Sequence, residues 1–460
     1  MKTRLLNFWE TLRTSFWFVP ALMVCSTVAL SFLLIYIDKR FQLSTHHIFG
    51  FFYEVGPEGA RLVLSTIANS MITVAGVAFS ITIVALTLAS SQFGPRMLRN
   101  FMKDTGNQVV LGTFISTFIY CLLVIRAVHT SGEQDFVPHL SVSFSLVAAL
   151  FNVGVLIYFI HHISSSIQAE QVVASVYQEL ESHIDLFFPD TLDDKQLDRS
   201  KEQYANKPLV SSLDLSHLHG YDVCSPHSGY LQAVDEIALL EIAENNDWVI
   251  RLPYRAGCFV TIGGCLVTVM SNDKEEISDE RCRLVFNTLI LGGQRTPEQD
   301  VEFTINQLVE IAVRALSPGI NDPFTALACI DRLGAALCRL TRRGFPPASV
   351  YDDAGNIRLI TKPVTFLGIA NSAFDQIRQY GVSSVAVSVR LMETLTRIAE
   401  QVANKEQYDA VKRQADMIIS ASDKALSEQN DIADIKQCYQ ACIDALRPFD
   451  DKYRHPHNVY

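Results

Sequence analysis

Charge is what this chain has least of. Only 19% of its 460 residues are Asp, Glu, Lys or Arg, against about 25% in an ordinary soluble domain. The shortage is local: residues 1–165 hold 10 Lys+Arg and 7 Asp+Glu, whereas the remainder holds 28 and 42. The first part is apolar and slightly basic, the second polar and acidic, and the net charge is −11. An acidic soluble part argues against nucleic acid as a partner, which needs a basic footprint to neutralise phosphates. The ten cysteines contain no CxxC pair, and their scatter points to a reducing compartment. P-loop, GxSxG and HExxH signatures are also missing. With no nucleophile-base pair or cofactor motif legible, the chain reads as a non-enzyme without a cofactor.

What is present is four long runs free of Asp, Glu, Lys and Arg, at 15–37, 62–95, 105–125 and 136–169. Each can cross ~30 Å of hydrocarbon, which takes about 20 residues. The first is too long for the apolar region of a cleaved signal peptide and reads as a signal anchor. The spacing predicts spans at about 15–37, 62–92, 106–126 and 137–163. Lys2, Arg4 and Arg13 precede the first, and Arg96, Arg99 and Lys103 follow the second. The opposite loops carry Lys39, Arg40, Arg61 and Arg126, with acidic neighbours. The positive-inside rule then puts both termini in the cytoplasm.

The second run is longer than an anchor needs. At ~1.5 Å per residue its 34 residues would span roughly 51 Å of helix. Thr66, Ser70, Thr73, Val77, Ser80, Val84, Thr87 and Ser91 recur along it at steps of four and three, forming one helical stripe. Two readings stand side by side. Small and hydroxyl residues let transmembrane helices approach and hydrogen-bond; hydroxyls from several subunits also line water-filled pores, with Val77 and Val84 narrowing the path. Arg96, Arg99 and Lys103 would form a basic cytoplasmic mouth, or simply obey the positive-inside rule. Asn69 and Asn152 need polar partners inside hydrocarbon, and no ionisable residue deep in a span suggests a proton relay.

The expected fold class is a membrane α-helical domain with four transmembrane helices, followed by a cytoplasmic α+β region: a small β barrel-sandwich-like domain plus an α-helical bundle. The expected divisions are 1–165 for the spans, 166–208 for a connecting helix and linker, 209–293 for the β-rich part, and 294–460 for the helical part. Short apolar runs with glycine punctuation mark the β-rich part, including Gly229-Tyr230-Leu231, Trp248-Val249-Ile250, Cys258-Phe259-Val260 and Leu266-Val267-Thr268-Val269. They resemble the barrel-sandwich of biotinyl and lipoyl carriers in shape only, because no lysine occupies a carrier turn. His217, His219, Cys224 and His227 form a weak zinc-like cluster, set in what reads as an ordinary surface loop. Thr296-Pro297-Glu298-Gln299 reads as a helix start with Thr296 at the N-cap. Ser317-Pro318-Gly319 ends that helix and Asn321-Asp322-Pro323 opens the next. The loop between them serves either the helix-turn-helix itself or an anionic ligand, with Arg314, Ser317, Gly319, Asn321 and Asp322 as candidate binding residues.

The runs Ser91-Gln92-Phe93-Gly94-Pro95-Arg96 and Arg295-Thr296-Pro297-Glu298-Gln299-Asp300, and above all the run from Arg314 to Ala326, resemble a bacterial family of predicted membrane proteins, domain of unknown function 2254. The resemblance implies a multi-pass protein of the bacterial inner membrane and supplies no activity, substrate or catalytic residue. The leading functional expectation is a homo-oligomeric channel for ions or small solutes with a cytoplasmic regulatory domain. The alternative is a membrane-anchored sensor or scaffold whose cytoplasmic domains bind a ligand or partner. The expected partners are the lipid bilayer, further copies of the chain, and ions or a small solute. Phe41, Phe49, Phe51, Phe52 and Tyr53 read either as an aromatic belt in the outer interface or as a plug of the outer mouth, with the belt preferred.

Overall fold

Four apolar helices form the first of two units into which the chain divides, Met1–Gln171 and Val172–Tyr460. The computed structural model describes residues 17–41, 56–97, 101–102, 104–129, 136–189, 218–272 and 277–454. The aromatic cluster at 49–53 and the linker expected at 190–208 lie outside the described residues. The helices are α1 (Phe18–Phe41), α2 (Pro57–Phe93), α3 (Thr105–Ala127) and α4 (His139–Ser166). All four are long and apolar enough to cross a membrane. At 37 residues, α2 is roughly 55 Å long.

Helix α3 is the centre of this unit, packed on α1, α2 and α4. Its polar side chains Asn107, Gln108, Ser116 and Thr117 are buried with it. Gly112 allows the close approach of α1, since a Cβ there would come within 3.2 Å of the Pro20 backbone. Asn152 of α4 donates to Thr117 Oγ1 at 2.8 Å and to its own helix at Ala148 O, 2.9 Å. This is the helix-to-helix role that a buried amide serves in hydrocarbon.

Most of α5 (Ala169–Phe187) belongs to the second unit, where its Asp185 takes Arg339 at 2.7 Å and Arg343 at 2.7 Å. The strands are β1 (His219–Cys224), β2 (Gly229–Val234), β3 (Val249–Arg251), β4 (Phe259–Val260), β5 (Cys265–Ser271), β6 (Leu289–Gly292), β7 (Ser349–Tyr351) and β8 (Ile357–Ile360). Helices α6 (Glu236–Asn245) and α7 (Asp279–Phe286) lie among them in sequence. The strands build two open sheets, ordered β1-β5-β3-β8-β7 and β4-β2-β6. Among the described residues no barrel closes.

The expected division at 293 does not follow the sheet. The hairpin of β7 and β8 comes from beyond that point and joins β3 through a parallel pairing, Ile250 with Leu359. Leu231, Ile250, Val267, Val269 and Leu359 then share one core.

The helices that follow are α8 (Val301–Ala315), α9 (Pro323–Leu340), α10 (Phe366–Tyr380), α11 (Val385–Ala399), α12 (Lys405–Ala425) and α13 (Gln429–Arg454). Most start on a side-chain cap that satisfies an orphan amide. Asp300, Asp322, Thr365 and Asn404 accept from Phe303 N, Thr325 N, Gly368 N and Gln407 N. The first of these corrects the expected start at Thr296: α8 begins at Val301, because Asp300 holds the cap.

Helices α9 and α11 approach so closely that a Cβ on Gly334 would overlap Thr394 Cγ2. Gly334→Ala is expected to cost about 2 kcal/mol by overpacking, with most of the loss recovered in Gly334→Ala/Thr394→Ala. Thermal unfolding followed through the buried Trp248 checks both; no recovery in the double variant would show the contact is not what limits the site.

Candidate functional site

The sequence-predicted stripe on α2 stays on the surface of its unit. Thr66, Ser70, Thr73, Val77, Ser80, Val84, Thr87 and Ser91 are all exposed. The buried side of α2 is instead an alanine-rich face, with Leu64, Ala68, Met71, Ala75, Ala78 and Ala85. At 100° per residue the two faces are centred roughly 150° apart. Small side chains let α2 lie close to α3, so the packing inside one chain consumes the alanines and leaves the hydroxyls.

Each hydroxyl in the stripe is bonded to its own helix. Thr66 donates to Leu62 O at 2.8 Å, Ser70 to Thr66 O at 2.8 Å, and Thr73 to Asn69 O at 2.8 Å. Ser80 donates to Gly76 O at 2.9 Å, Thr87 to Ile83 O at 2.9 Å, and Ser91 to Leu88 O at 2.8 Å. This lowers the cost of turning the stripe toward lipid. It also directs oxygen lone pairs outward, since a hydroxyl that donates inward can still accept.

Helix α2 stops because Gly94 takes φ 105°, a conformation that suits glycine. Gly94 N donates to Ser90 O at 3.1 Å, and a short 3-10 turn, Pro95–Met97, follows. Arg96 is exposed on that turn. Arg99 and Lys103 lie outside the described residues.

Asp38 was legible only as a loop charge. The structure buries it at the end of α1, where it accepts from Leu140 N and Ser141 N, each at 3.0 Å, and from Ser141 Oγ at 2.6 Å. It supplies the first turn of α4 with the cap that Pro138 does not provide. Tyr120 donates to Ser141 O at 3.0 Å. The usable signal was a helix opening on proline with no Ser, Thr, Asp or Asn at its cap. Such a helix needs an acceptor from elsewhere.

In the second unit, the loop from Arg314 to Phe324 is a helix hairpin held by its own bonds. Ser317 Oγ donates to Arg314 O at 2.6 Å, Asn321 N to Ser317 O at 2.9 Å, and Asp322 N to Ala315 O at 2.8 Å. Asn321 sits in the left-handed region with φ 51°. Asp322 occupies the start of α9 through Thr325 N at 3.2 Å and Thr325 Oγ1 at 2.5 Å, so its carboxylate competes with an anion for those amides. Arg314 pairs with Glu310 at 3.4 Å, and Gly319 is exposed. The five candidate residues are brought into one turn, and the bonds they make there are structural.

The run from Arg295 to Asp300 is likewise a junction. Arg295 Nε donates to Asp300 Oδ2, and its Nη2 to Asp300 Oδ1 at 3.0 Å. Burial works against the Arg295 charge, but the hydrogen bond and charge of Asp300 outweigh it and hold the guanidinium above its usual pKa. The Gln299 amide pairs with Val234 N at 2.8 Å and Val234 O at 3.0 Å, tying the end of β2 to the start of α8.

The zinc-like cluster comes apart. His219 and Cys224 stand at opposite ends of strand β1 rather than in a loop, roughly 16 Å apart at ~3.3 Å per residue. His227 follows in the turn to β2, and His217 lies outside the described residues. Among the described residues no group of three His, Cys, Asp or Glu side chains is placed to hold a metal.

The family described as "Predicted membrane protein (DUF2254)" matches residues 13–397. The chain belongs to this family. Uncharacterized proteins of Mycobacterium bovis and Mycobacterium tuberculosis are each 32% identical to it over 386 residues, covering 82% of this chain and 71% of theirs. No solved structure matches the chain. The DUF2254 match spans all four apolar helices, both sheets and the helices through most of α11.

Proposed function

We propose that this membrane protein is a homo-oligomeric channel for ions or small solutes, lined by α2 and regulated by its second unit. The observation that carries the reading is the exposure of all eight stripe residues while the alanine face of the same helix is buried. A sensor whose spans only pack within one chain would use the hydroxyl face for that packing. Copies of the chain arranged around an axis would instead turn Thr73, Ser80 and Thr87 toward a common path. The inward-donated hydroxyls then present lone pairs to it, and Val77 and Val84 set its narrow points. In this reading the protein sits in the bacterial inner membrane with both termini cytoplasmic, as the Lys and Arg near the span ends favour, and Arg96 stands near the inner mouth.

The test is ion flux through purified protein in liposomes, with cation and anion gradients applied separately. Wild-type protein should conduct, and Ser80→Trp should reduce flux at least tenfold while leaving the oligomer intact. Flux carried by cations would show that the hydroxyl lone pairs govern selection; anion flux would give that role to the basic mouth. Normal conduction by correctly assembled Ser80→Trp would remove α2 from the path.

A further inference from the structure

Two thiols that the proposed channel does not use are directly opposed in the second unit. Cys224 ends β1 and Cys265 begins β5, and they are direct partners in the antiparallel ladder. On β1, Val223 is buried while Asp222 and Cys224 on either side of it are exposed. On β5 the register shifts, so that Val223 faces Val267 and Cys224 faces Cys265, with Leu266 left between. Such a bulge turns the residue beyond it onto the other face. Cys265 therefore shares the outer face with Thr268, its Sγ 3.4 Å from Thr268 Oγ1. Thr268 in turn donates to Asp222 Oδ1 at 2.8 Å. Both cysteines are free thiols, Cys224 exposed and Cys265 half-buried.

We propose that Cys224 and Cys265 are a redox-active dithiol that closes to a cross-strand disulfide on exposure to a low-molecular-weight disulfide of the glutathione type. Directly opposed residues of antiparallel strands have Cα atoms about 4.5–5.5 Å apart, within the roughly 4.4–6.8 Å that a disulfide spans. The backbone already holds them there: Ser225 N donates to Gly264 O at 2.9 Å, and Gly263 N to Ser225 O at 2.8 Å. The exposed Cys224 meets the oxidant first, as a thiolate. It attacks one sulfur of the small disulfide, forming a mixed disulfide and releasing one small thiol. Cys265 gives up its proton, attacks the Cys224 sulfur and displaces the second small thiol. Two electrons pass from the protein to the small disulfide, and the two thiol protons end on the released thiols. Burial pushes the Cys265 thiol upward, which suits the resolving rather than the attacking role. The product staples the edge strand β1 to its sheet neighbour, β5. Exposed cross-strand bridges belong to the labile class that a reducing compartment reopens.

The test uses the full chain in detergent, reduced and then treated with oxidised glutathione, with free thiols alkylated before digestion and mass spectrometry. A linked peptide pair carrying Cys224 and Cys265 should rise at least tenfold over the reduced sample and disappear on adding dithiothreitol. Trypsin leaves Cys258 and Cys265 on one peptide, so Cys258→Ser should keep the link, while Cys224→Ser and Cys265→Ser should each abolish it. Wild-type protein in which both thiols remain alkylated, or each carries its own glutathione, would overturn the proposal. So would a link that survives Cys265→Ser.

Discussion

Gly257→Ala should destabilise the second unit by about 4 kcal/mol. Gly257 holds φ +90°, and a Cβ there would overlap the Asp300 carboxylate and come within 3.0 Å of Arg295 Nε. Left-handed strain in a non-glycine residue costs of order 1–3 kcal/mol, and breaking a buried ion pair about 3–5 kcal/mol. Together these come to about 4–8 kcal/mol, and partial relaxation brings the total to the lower end. Asp300 is 3% exposed and serves two groups, the Arg295 guanidinium and the cap at Phe303 N, while the turn at Gly257 packs against its carboxylate. Arg255 and Glu302 extend the cluster with a 2.7 Å pair. The loss in Gly257→Ala should therefore be largely shared with Asp300→Ala, so that the double variant costs much less than the sum. Thermal unfolding read through Trp248 decides it. A Gly257→Ala protein within about 1 kcal/mol of wild type, or strict additivity with Asp300→Ala, would show that the turn does not depend on this carboxylate.

Asp38→Ala should be the most damaging single change in the membrane unit, at about 3 kcal/mol. Three donors lose their acceptor at once: Leu140 N, Ser141 N and Ser141 Oγ. Hydrogen bonds to a charged group are worth about 1.5–3 kcal/mol each, and a carboxylate at a helix N-terminus adds up to ~2 kcal/mol in partly buried positions. Water entering the end of the bundle recovers part of that sum. Asp38→Asn retains one acceptor oxygen and should lose about half as much. Ser141→Ala leaves both amides capped and should cost about 1 kcal/mol. The ranking Ala, then Asn, then wild type in detergent melting temperature is the readout, and an Asp38→Ala protein that melts with wild type would mean α4 finds its cap elsewhere.

Much of the fold was legible in local pattern. Uncharged runs marked α1 to α4, and the bounds differ by a few residues because helices continue to the next cap or glycine rather than to the last apolar residue. Asp322-Pro323 correctly opened α9. Thr296 read as the cap because the capping-box pattern fits it, and nothing local shows that Asp300 takes that role while Arg295 holds its carboxylate. The segment from His217 to His227 read as a surface loop on its Gly, Ser and Pro, yet His219–Cys224 is strand β1. Pairing with β5 overrides its weak strand propensity.

Composition and periodicity by themselves determined that the chain has four membrane-length helices, a hydroxyl stripe on the second, and a mixed acidic region ending in helices. These are properties of neighbouring residues, set over one or two turns by burial period and capping. Only the tertiary structure decided which side of α2 is consumed by packing, that Asp38 caps a helix about 100 residues away, that β7 and β8 complete a sheet begun far upstream, and that Cys224 meets Cys265. Each of those depends on which surfaces the chain brings together, and contacts between distant segments leave no period in the sequence to read.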